Sequence, residues 1–266
     1  IERYFAAKAS LFTAERSERG LSNCDDPHGR LLADGAAIVM NCFGASDLSD
    51  VVVTPTSHEY TWRGVRVRVG IGGHFNVLNS LAAITAASLL GIEPAVAAAG
   101  LATAPAVPGR FEPVDAGQPF SVIVDYAHTP DGLRGVLVSV RDSTDAGRVI
   151  VVFGCGGDRD RDKRPEMGEV AAGLADLVVV TSDNPRSEDP EAIIGAILRG
   201  VPDDYRERVV TVPDRRSAIA SALDAARPGD VVIVAGKGHE TTQTVGDRVL
   251  EFDDRAVVAD LLRGAQ

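Results

Sequence analysis

The chain has 266 residues, 45% of them hydrophobic and 24% charged, a balance typical of a globular protein long enough for two domains. Its formal net charge of −11 argues against a nucleic-acid partner, because contacts to phosphates need a basic face. No apolar run reaches the roughly 18 residues of a membrane span. No signal-peptide pattern is present either, so we expect no membrane insertion.

The cysteines are few, odd in number and far apart in the sequence. Cys24, Cys42 and Cys155 include no C-x-x-C pair, which fits a reducing cytosol and offers no zinc site. We therefore expect a cytoplasmic protein. The chain opens at Ile1 without a Met and already within helical periodicity, so we expect a fragment or a processed chain.

The first hundred residues predict a mixture of helices and strands. A helix over 1–12 places Lys8 near its apolar stripe, where we expect partial burial. Further predicted elements are a helix over 28–34, strands over 36–40 and 51–55, a hairpin over 59–69, a loop over 72–76, and helices over 77–90 and 94–103. The Pro/Gly/Ala stretch over 104–109 is the predicted domain boundary.

Strands and helices alternate after this boundary. Strands are predicted at 120–125, 149–153, 177–181, 208–212 and 231–235, and helices at 130–141, 166–174, 190–199, 215–226 and 254–263. The alternation predicts an α/β fold, a Rossmann-like doubly wound domain with a mostly parallel sheet. Residues 241–245 and 248–252, joined by Gly246-Asp247, predict an edge hairpin.

The predicted strand over 177–181 leads into Asp183-Asn184-Pro185-Arg186, where Pro185 ends the strand. Open α/β sheets bind ligands beyond the carboxyl ends of their strands. An acceptor, an amide and a planar cation at such a place suit a zwitterion, since the arginine fork matches a carboxylate. A polar turn with a solvated Arg186 is the alternative interpretation.

The strand over 120–125 also ends in chemically useful residues. Asp125 and His128 lie just before a helix that Thr129 can cap. A carboxylate at this place can accept a hydrogen bond from a ribose hydroxyl, and an imidazole ring can pack on a base. An ordinary capping loop explains the same residues equally well.

Two glycine-rich strand ends complete the set. Gly154-Cys155-Gly156-Gly157 lets backbone amides approach an anion. The charged run over 158–164 that follows would usually be a solvated face, but after a glycine-rich strand end we expect Arg159 to point inward. Gly236-Lys237-Gly238-His239-Glu240 resembles a phosphate loop only superficially, because G-x-x-x-x-G-K-[ST] occurs nowhere in the 266 residues. Glu240 beside Arg159 and Arg186 would complete a site for carboxylate and ammonium groups.

Seven motifs in this order resemble those of the Mur ligase family, and each is weak alone. They are Phe5-Ala6-Ala7-Lys8, residues 73–79 (GHFNVLN), residues 108–112 (PGRFE), residues 125–131 (DYAHTPD), residues 154–160 (GCGGDRD), Asp183-Asn184-Pro185-Arg186 and residues 236–240 (GKGHE). The resemblance implies that residues 1–107 are the C-terminal portion of the family's central ATPase domain. It implies that residues 108–266 are its C-terminal Rossmann-like domain.

The resemblance further implies an ATP-dependent amide-bond ligase of peptidoglycan synthesis, serving cell wall biogenesis, cell shape and cell division. ATP would phosphorylate the D-glutamyl carboxylate of UDP-MurNAc-L-Ala-D-Glu. The amine of meso-diaminopimelate would then attack the acyl phosphate, giving an amide, ADP and phosphate. Such enzymes use magnesium, and we expect a monomer.

Site residues follow from the same motifs. Lys8 matches the family lysine that is carbamylated and then ligates Mg²⁺. Positions around the adenosine and phosphates are matched by Asn76, Asn79, Arg110, Asp125, Tyr126 and His128. The pocket for the added amino acid is matched by Arg159, Asp183, Asn184, Arg186, Gly236 and Glu240. The Asp-Asn-Pro-Arg form resembles enzymes that add meso-diaminopimelate, and lysine-adding relatives lack that arginine.

Two other interpretations stay open. One is a relative that adds lysine or acts on another substrate, such as a folylpolyglutamate-type ligase, although Arg186 and the 154–160 loop count against it. The other is a non-catalytic ligand-binding module, which the missing P-loop motif favours.

Overall fold

The computed structural model describes residues 2–144 and 147–264, and the chain divides into two compact units. The first unit comprises residues 1–53, 57–70 and 74–104, and the second comprises residues 54–56, 71–73 and 105–266. The assignment of residues 1–107 and 108–266 to particular domains of a family stays a prediction. None of the described helices is both long and apolar enough to cross a membrane.

The first unit combines a parallel strand pair with a three-stranded antiparallel sheet. Its elements are α1 (Glu2–Ala9), β1 (Arg19–Asn23), α2 (Pro27–Gly35), β2 (Val39–Phe43), β3 (Leu48–Val53), β4 (His58–Trp62), β5 (Val65–Val69), α3 (His74–Leu89) and α4 (Pro94–Ala102). The predicted hairpin is confirmed as β4 and β5, whose alternation buries Val67 and Val69 and leaves Arg66 and Arg68 on Glu59.

Three expectations for this unit are wrong. Strand β1 was not predicted, because Arg19–Asn23 is a mainly polar sequence without clear alternation. The strand predicted over 36–40 lies three residues later, at Val39–Phe43. Helix α3 already begins at His74, directly after Gly73 with its φ of +89°, so Asn76 lies in the helix and not in a loop.

Cys24 and Cys42 form a disulfide, with their Cα atoms 5.4 Å apart. Strands β1 and β2 run parallel with Ser22 opposite Cys42, so Cys24 lies just beyond the paired region. The expectation of a reducing compartment, drawn from the cysteine spacing, did not anticipate this pair. Sequence separation is a poor guide here, because parallel pairing brings together residues that are 18 positions apart. Cys155 is free and buried.

The second unit is built on one six-stranded sheet with the order β10-β9-β8-β11-β7-β6. Its elements are β6 (Glu112–Pro113), β7 (Ser121–Asp125), α5 (Pro130–Asp142), β8 (Val149–Phe153), α6 (Lys163–Leu174), β9 (Leu177–Val180), α7 (Pro190–Leu198), β10 (Val209–Thr211), α8 (Arg215–Ala225), β11 (Val231–Ala235), β12 (Thr242–Val245), β13 (Arg248–Glu251) and α9 (Asp254–Gly264). Every predicted strand and helix of this unit is confirmed within a few residues, whereas the short β6 and a 3-10 helix at Asp203–Arg208 were not predicted.

Strands β7 to β11 are parallel, and β6 joins the edge antiparallel to β7. Strands β8 and β11 are buried along their whole length, as expected for apolar runs covered by helices on both faces. One face packs on α5, α6 and α7, and the other on α8 and α9. The predicted α/β doubly wound architecture is therefore confirmed.

From β8 the chain adds β9 and then β10 on one side, whereas the next strand, β11, lies on the other side of β8. The strand order thus reverses between β8 and β11. In open α/β sheets such a reversal leaves a crevice at the carboxyl ends of the two strands. The loops after β8, β9 and β11 are placed around it.

We predict that the oxidised chain, once denatured, exposes one thiol to a chromogenic reagent, and three after reduction. In the folded chain Cys155 should not react at pH 8, because burial raises the pKa of its thiol to about 12. Replacing Cys24 and Cys42 by Ser should lower the free energy of unfolding by about 3 kcal/mol, the entropic effect of a loop of this length.

A Cys155→Ser variant serves as the control, with no thiol before reduction and two after it. Three reactive thiols in the denatured chain before reduction would show that Cys24 and Cys42 are not bonded.

Candidate functional site

The loops after β9 and β11 meet above the end of β8. A Cβ atom added at Gly154 would lie 2.2 Å from the carbonyl oxygen of Thr181, and one added at Gly236 would lie 2.6 Å from Oδ2 of Asp183. Gly236 also has a φ of +113°. A side chain at Gly154 would push the backbone of the loop after β9 away, and one at Gly236 would displace the carboxylate of Asp183. The glycines therefore permit the contact that brings Asp183 beside Gly236.

Asn184 connects the turn to two other segments. Its Nδ2 donates to Oε2 of Glu240 at 2.7 Å and to Oδ1 of Asp183 at 3.1 Å, and its Oδ1 accepts from the backbone N–H of Thr244 at 2.9 Å. Asn184 is buried, so each of these bonds fixes a group that water cannot satisfy. The predicted residues Asp183, Asn184 and Glu240 are brought together by direct contact.

Arg186 is held in a strained backbone conformation by the β12–β13 hairpin. Its φ is +52°, its N–H donates to Thr244, and its carbonyl accepts from Gly246. The guanidinium donates through one N–H to the carbonyl oxygen of Gly157 at 2.7 Å. The guanidinium is therefore oriented by the loop after β8. The other N–H groups of the planar fork have the geometry to engage a carboxylate.

Arg159 does not point inward as expected. It is exposed, and its guanidinium donates to the carbonyl oxygen of its neighbour Asp158 at 3.2 Å. Its Cγ nevertheless lies near Gly156, the glycine that the guanidinium of Arg186 also approaches. Two arginines therefore flank the glycine-rich loop after β8, one half-buried and one exposed.

An ion pair between the buried Arg164 and the half-buried Glu188 ties this loop to the Asp183–Arg186 turn. Glu188 accepts two hydrogen bonds from the buried Arg164, at 2.9 and 3.0 Å, and one from the backbone of Asp158 at 2.7 Å. Asp158 in turn accepts from the hydroxyl of Ser187 at 2.7 Å. These bonds lower the pKa of Glu188 to about 2 and join the two segments that carry Arg159 and Arg186.

Lys237, Gln243 and Arg215 were missed by the sequence reasoning. The ammonium of Lys237 is fully buried between Glu240 and the carbonyl of Thr242, and Gln243 donates to the carbonyl of Asp183 at 2.7 Å. A lysine between two glycines at a strand end was a signal for Lys237. Arg215 begins an ordinary-looking helix, and nothing in its local sequence indicates that its side chain is buried.

A second group of predicted residues surrounds the end of β7. The carboxylate of Asp125 accepts from the backbone amides of Phe111 and Ala127, each at 2.7 Å. It therefore fixes the turn that carries Arg110, and burial raises its pKa. The guanidinium of Arg110 lies 4.6 Å from the ring centroid of Tyr126.

The ring of Tyr126 is the centre of an aromatic cluster. The ring centroids of His128 and His239 lie 4.5 and 5.1 Å from it. His128 and His239 are exposed and Tyr126 is half-buried, so the cluster presents a polar, aromatic surface. His239 was not among the predicted site residues. Aromatic and guanidinium surfaces of this kind can stack on a nucleobase.

The remaining predicted residues, Lys8, Asn76 and Asn79, belong to the first unit. Lys8 is exposed on α1, with its ammonium 5.3 Å from the ring centroid of Tyr4, so the expected partial burial is wrong. Helix α1 buries none of its described residues, and its apolar stripe therefore gives Lys8 no cover. Asn79 donates to the side-chain oxygen of Asn76 at 3.1 Å.

The loops at the carboxyl ends of β8, β9 and β11 form a rim where acidic, amide and guanidinium groups converge. Such a rim on a doubly wound sheet is typical of an α/β protein with a site for a charged small molecule. The family model described as Mur ligase, glutamate ligase domain, matches residues 109–238, which contain most of this rim. The chain belongs to the Mur ligase family, as the ordered motifs predicted.

Curated relatives extend the similarity over the whole chain. Two proteins named UDP-N-acetylmuramoyl-L-alanyl-D-glutamate–2,6-diaminopimelate ligase, from Syntrophomonas wolfei and Streptomyces avermitilis, are each 46% identical to it. The matches cover 99% and 100% of this chain and 56% and 55% of those proteins. A solved structure of a protein with the same name superposes on this chain with a TM-score of 0.68 and 33% sequence identity. The match covers 99% of this chain and 57% of that one. The chain thus spans little more than half the length of these relatives.

We predict that Glu188→Gln lowers the melting temperature at neutral pH. The depressed pKa of Glu188 contributes stability that is present above its ordinary value of 4.5 and is lost as the pH falls towards about 2. Between pH 4.5 and 2 the melting temperature of the variant should therefore fall less than that of the unsubstituted chain. Glu191→Gln, an exposed neighbour on α7, is the control and should follow the unsubstituted chain. Identical curves for Glu188→Gln and the unsubstituted chain would contradict this prediction.

Proposed function

We propose that this chain is part of an ATP-dependent ligase of the MurE type, which adds meso-diaminopimelate to UDP-MurNAc-L-Ala-D-Glu. The observation that carries the proposal is the convergence of Asp183, Asn184, Arg186 and Glu240 at one rim. The ligases named for 2,6-diaminopimelate are 46% identical over nearly the whole chain, which supports it.

The rim contains charges of both signs, as an amino-acid substrate requires. Arg186, with Arg159 nearby, would pair with a carboxylate of the amino acid. Asp183 and Glu240 would receive an ammonium group, and Gly236, which has no side chain, lets the carboxylate of Asp183 lie against the backbone. A diacid with two ammonium groups uses both arginines, whereas lysine lacks the distal carboxylate. The arrangement therefore favours meso-diaminopimelate over the lysine-adding alternative.

The second group of residues would bind the nucleotide. Arg110 and Tyr126 offer a stacking surface, His128 extends it, and Asp125 holds the turn that presents Arg110. Asn76 and Asn79 of the first unit would take part by resemblance to the family. ATP, once bound, supplies the phosphoryl group that activates the D-glutamyl carboxylate. The residues of this chain would orient the adenosine and the incoming amine.

Magnesium is implied by the family, and the described residues do not supply a complete site for it. No group of three or more His, Cys, Asp or Glu side chains in residues 2–144 and 147–264 is arranged to hold a metal ion. We propose that a carbamylated Lys8 is one ligand and that the other ligands come from outside this chain. The exposure of Lys8 leaves its amine accessible to carbon dioxide.

A ligase of this kind would act in the cytoplasm, where UDP-activated precursors and ATP are made, and we propose that it acts as a monomer. In a reducing compartment Cys24 and Cys42 would be present largely as thiols.

We predict that the 266-residue chain binds meso-diaminopimelate and that Arg186→Ala weakens this binding by roughly ten- to a thousandfold. Lysine should lose far less on the same substitution, because it has no distal carboxylate. Isothermal calorimetry with both amino acids measures the two losses. Arg199→Ala, an exposed arginine at the end of α7, is the matched control.

Equal losses for meso-diaminopimelate and lysine would show that Arg186 is only a turn residue. Failure of the unsubstituted chain to bind either amino acid would contradict the proposed substrate.

We predict that Lys8→Ala abolishes turnover in a full-length ligase that contains this chain, because alanine cannot form the carbamate. ¹³C-labelled bicarbonate should give a carbamate resonance in the parent enzyme that is absent in the variant. Acetate, which supplies a carboxylate, should restore part of the phosphate release. Full activity of Lys8→Ala without added acetate would remove Lys8 from the proposed metal site.

A further inference from the structure

Arg215 is a buried cation at a position where a helix does not favour one. It is the first residue of α8, and the positive end of a helix dipole disfavours a cation there. Its side chain and that of Asp254 on α9 are both 0% exposed. Nε and Nη2 donate to the two carboxylate oxygens of Asp254 at 2.8 and 2.7 Å. Desolvation makes such a pair a weak source of stability, so stability alone does not account for it.

The remaining contacts of Arg215 reach two strand ends. Nη1 donates to the carbonyl oxygen of Ser182 at 3.3 Å, and Nη2 donates to that of Ala235 at 3.0 Å. Ser182 follows β9 and Ala235 ends β11, and β8 lies between these two strands in the sheet. The guanidinium therefore bridges two segments that no strand pairing joins. The residues that follow them are Asp183 and Gly236.

We propose that Arg215, oriented by Asp254, is a positioning residue of the amino-acid site, which fixes the separation between Asp183 and Gly236 and places a positive charge behind the carboxylate of Asp183. The identity of the ligand in this inference rests on the proposed function, whereas the geometric role of Arg215 does not. An apolar side chain of the same size fills the space but bridges neither carbonyl.

The charge of Arg215 also affects the protonation of Asp183. Burial raises the pKa of Asp183, and Arg215 on α8 is the foremost group opposing that rise, followed by Lys237 after β11. Glu240 and Asp254 act in the other direction. The buried thiol of Cys155, after β8, also interacts with the charge of Asp183. Loss of the guanidinium should therefore leave Asp183 protonated over a wider pH range, when it can no longer pair with an ammonium group.

The test replaces both members of the pair, because removal of one would leave an uncompensated buried charge. Arg215→Met with Asp254→Leu is compared with Arg216→Met with Asp260→Leu, the adjacent exposed pair between the same two helices. Carboxyl ¹³C titration reports the pKa of Asp183, assigned with Asp183→Asn. Hydrogen exchange reports the amide of Gly236, which donates to the carbonyl of Asp125 at 3.1 Å.

In the buried-pair variant we expect a higher pKa for Asp183, because Arg215 lowers this pKa more than Asp254 raises it, and faster exchange at Gly236. The exposed-pair control should show neither change. The proposal is overturned if either readout matches that of the unsubstituted chain, or if the control changes equally. Both measurements are made without ligand, so they decide the positioning role even if the chain binds no amino acid.

Calorimetry with meso-diaminopimelate then links the geometry to binding. The dissociation constant of the buried-pair variant should rise about tenfold or more at neutral pH, and the rise should shrink at higher pH as Asp183 ionises. A rise of equal size at every pH would overturn the charge component of the proposal. An absence of binding in the unsubstituted chain would count against the proposed substrate and not against Arg215.

Discussion

The site depends on how closely two loops can approach across the end of a buried strand. Strand β8 stops at Phe153, and the segments after β9 and β11 close over it because Gly154 and Gly236 offer no side chain. The contact places the amide of Asn184 in hydrogen-bond contact with the carboxylate of Asp183, and that carboxylate lies against the backbone of Gly236. A methyl group at Gly154 would collide with the backbone of the loop after β9, and one at Gly236 would displace the carboxylate of Asp183.

The same approach creates an electrostatic problem, because it buries several charges together. Asp183, Lys237, Arg215 and Asp254 are all buried, and Glu240 is half-buried beside them. Each of the two cations contacts a carboxylate and at least one backbone carbonyl. If all five are ionised, the group carries three negative charges and two positive ones. A ligand ammonium would balance it, which agrees with an amino acid as the ligand.

The second unit could be predicted well from the sequence, because its strands are apolar runs and its helices have clear caps. Asp189 and Thr129, for example, accept the hydrogen bonds expected of helix-capping residues. The first unit was harder, because β1 is polar and its pairing with β2 is set by contacts distant in sequence.

The proposed site residues in the loops after the strands could be singled out from the sequence, whereas the buried residues that support these loops could not. Asp183, Asn184, Arg186 and Glu240 stand directly after apolar runs, where position alone suggests a role. Arg215 and Asp254 lie 39 residues apart on two helices, and only the fold shows that they meet. The direction of Arg159 was also beyond the sequence, because it depends on how the backbone turns at Asp158, whose φ is +53°.

The backbone strain at Arg186 bears on any attempt to make this protein more robust. A left-handed conformation costs a residue with a side chain roughly 1 kcal/mol or more, and glycine adopts it freely. Selection for heat resistance alone would thus favour glycine at position 186 and discard the guanidinium. If Arg186 binds the ligand carboxylate as proposed, the strain at this position is a stability cost of keeping the guanidinium, of the kind expected where activity and stability compete.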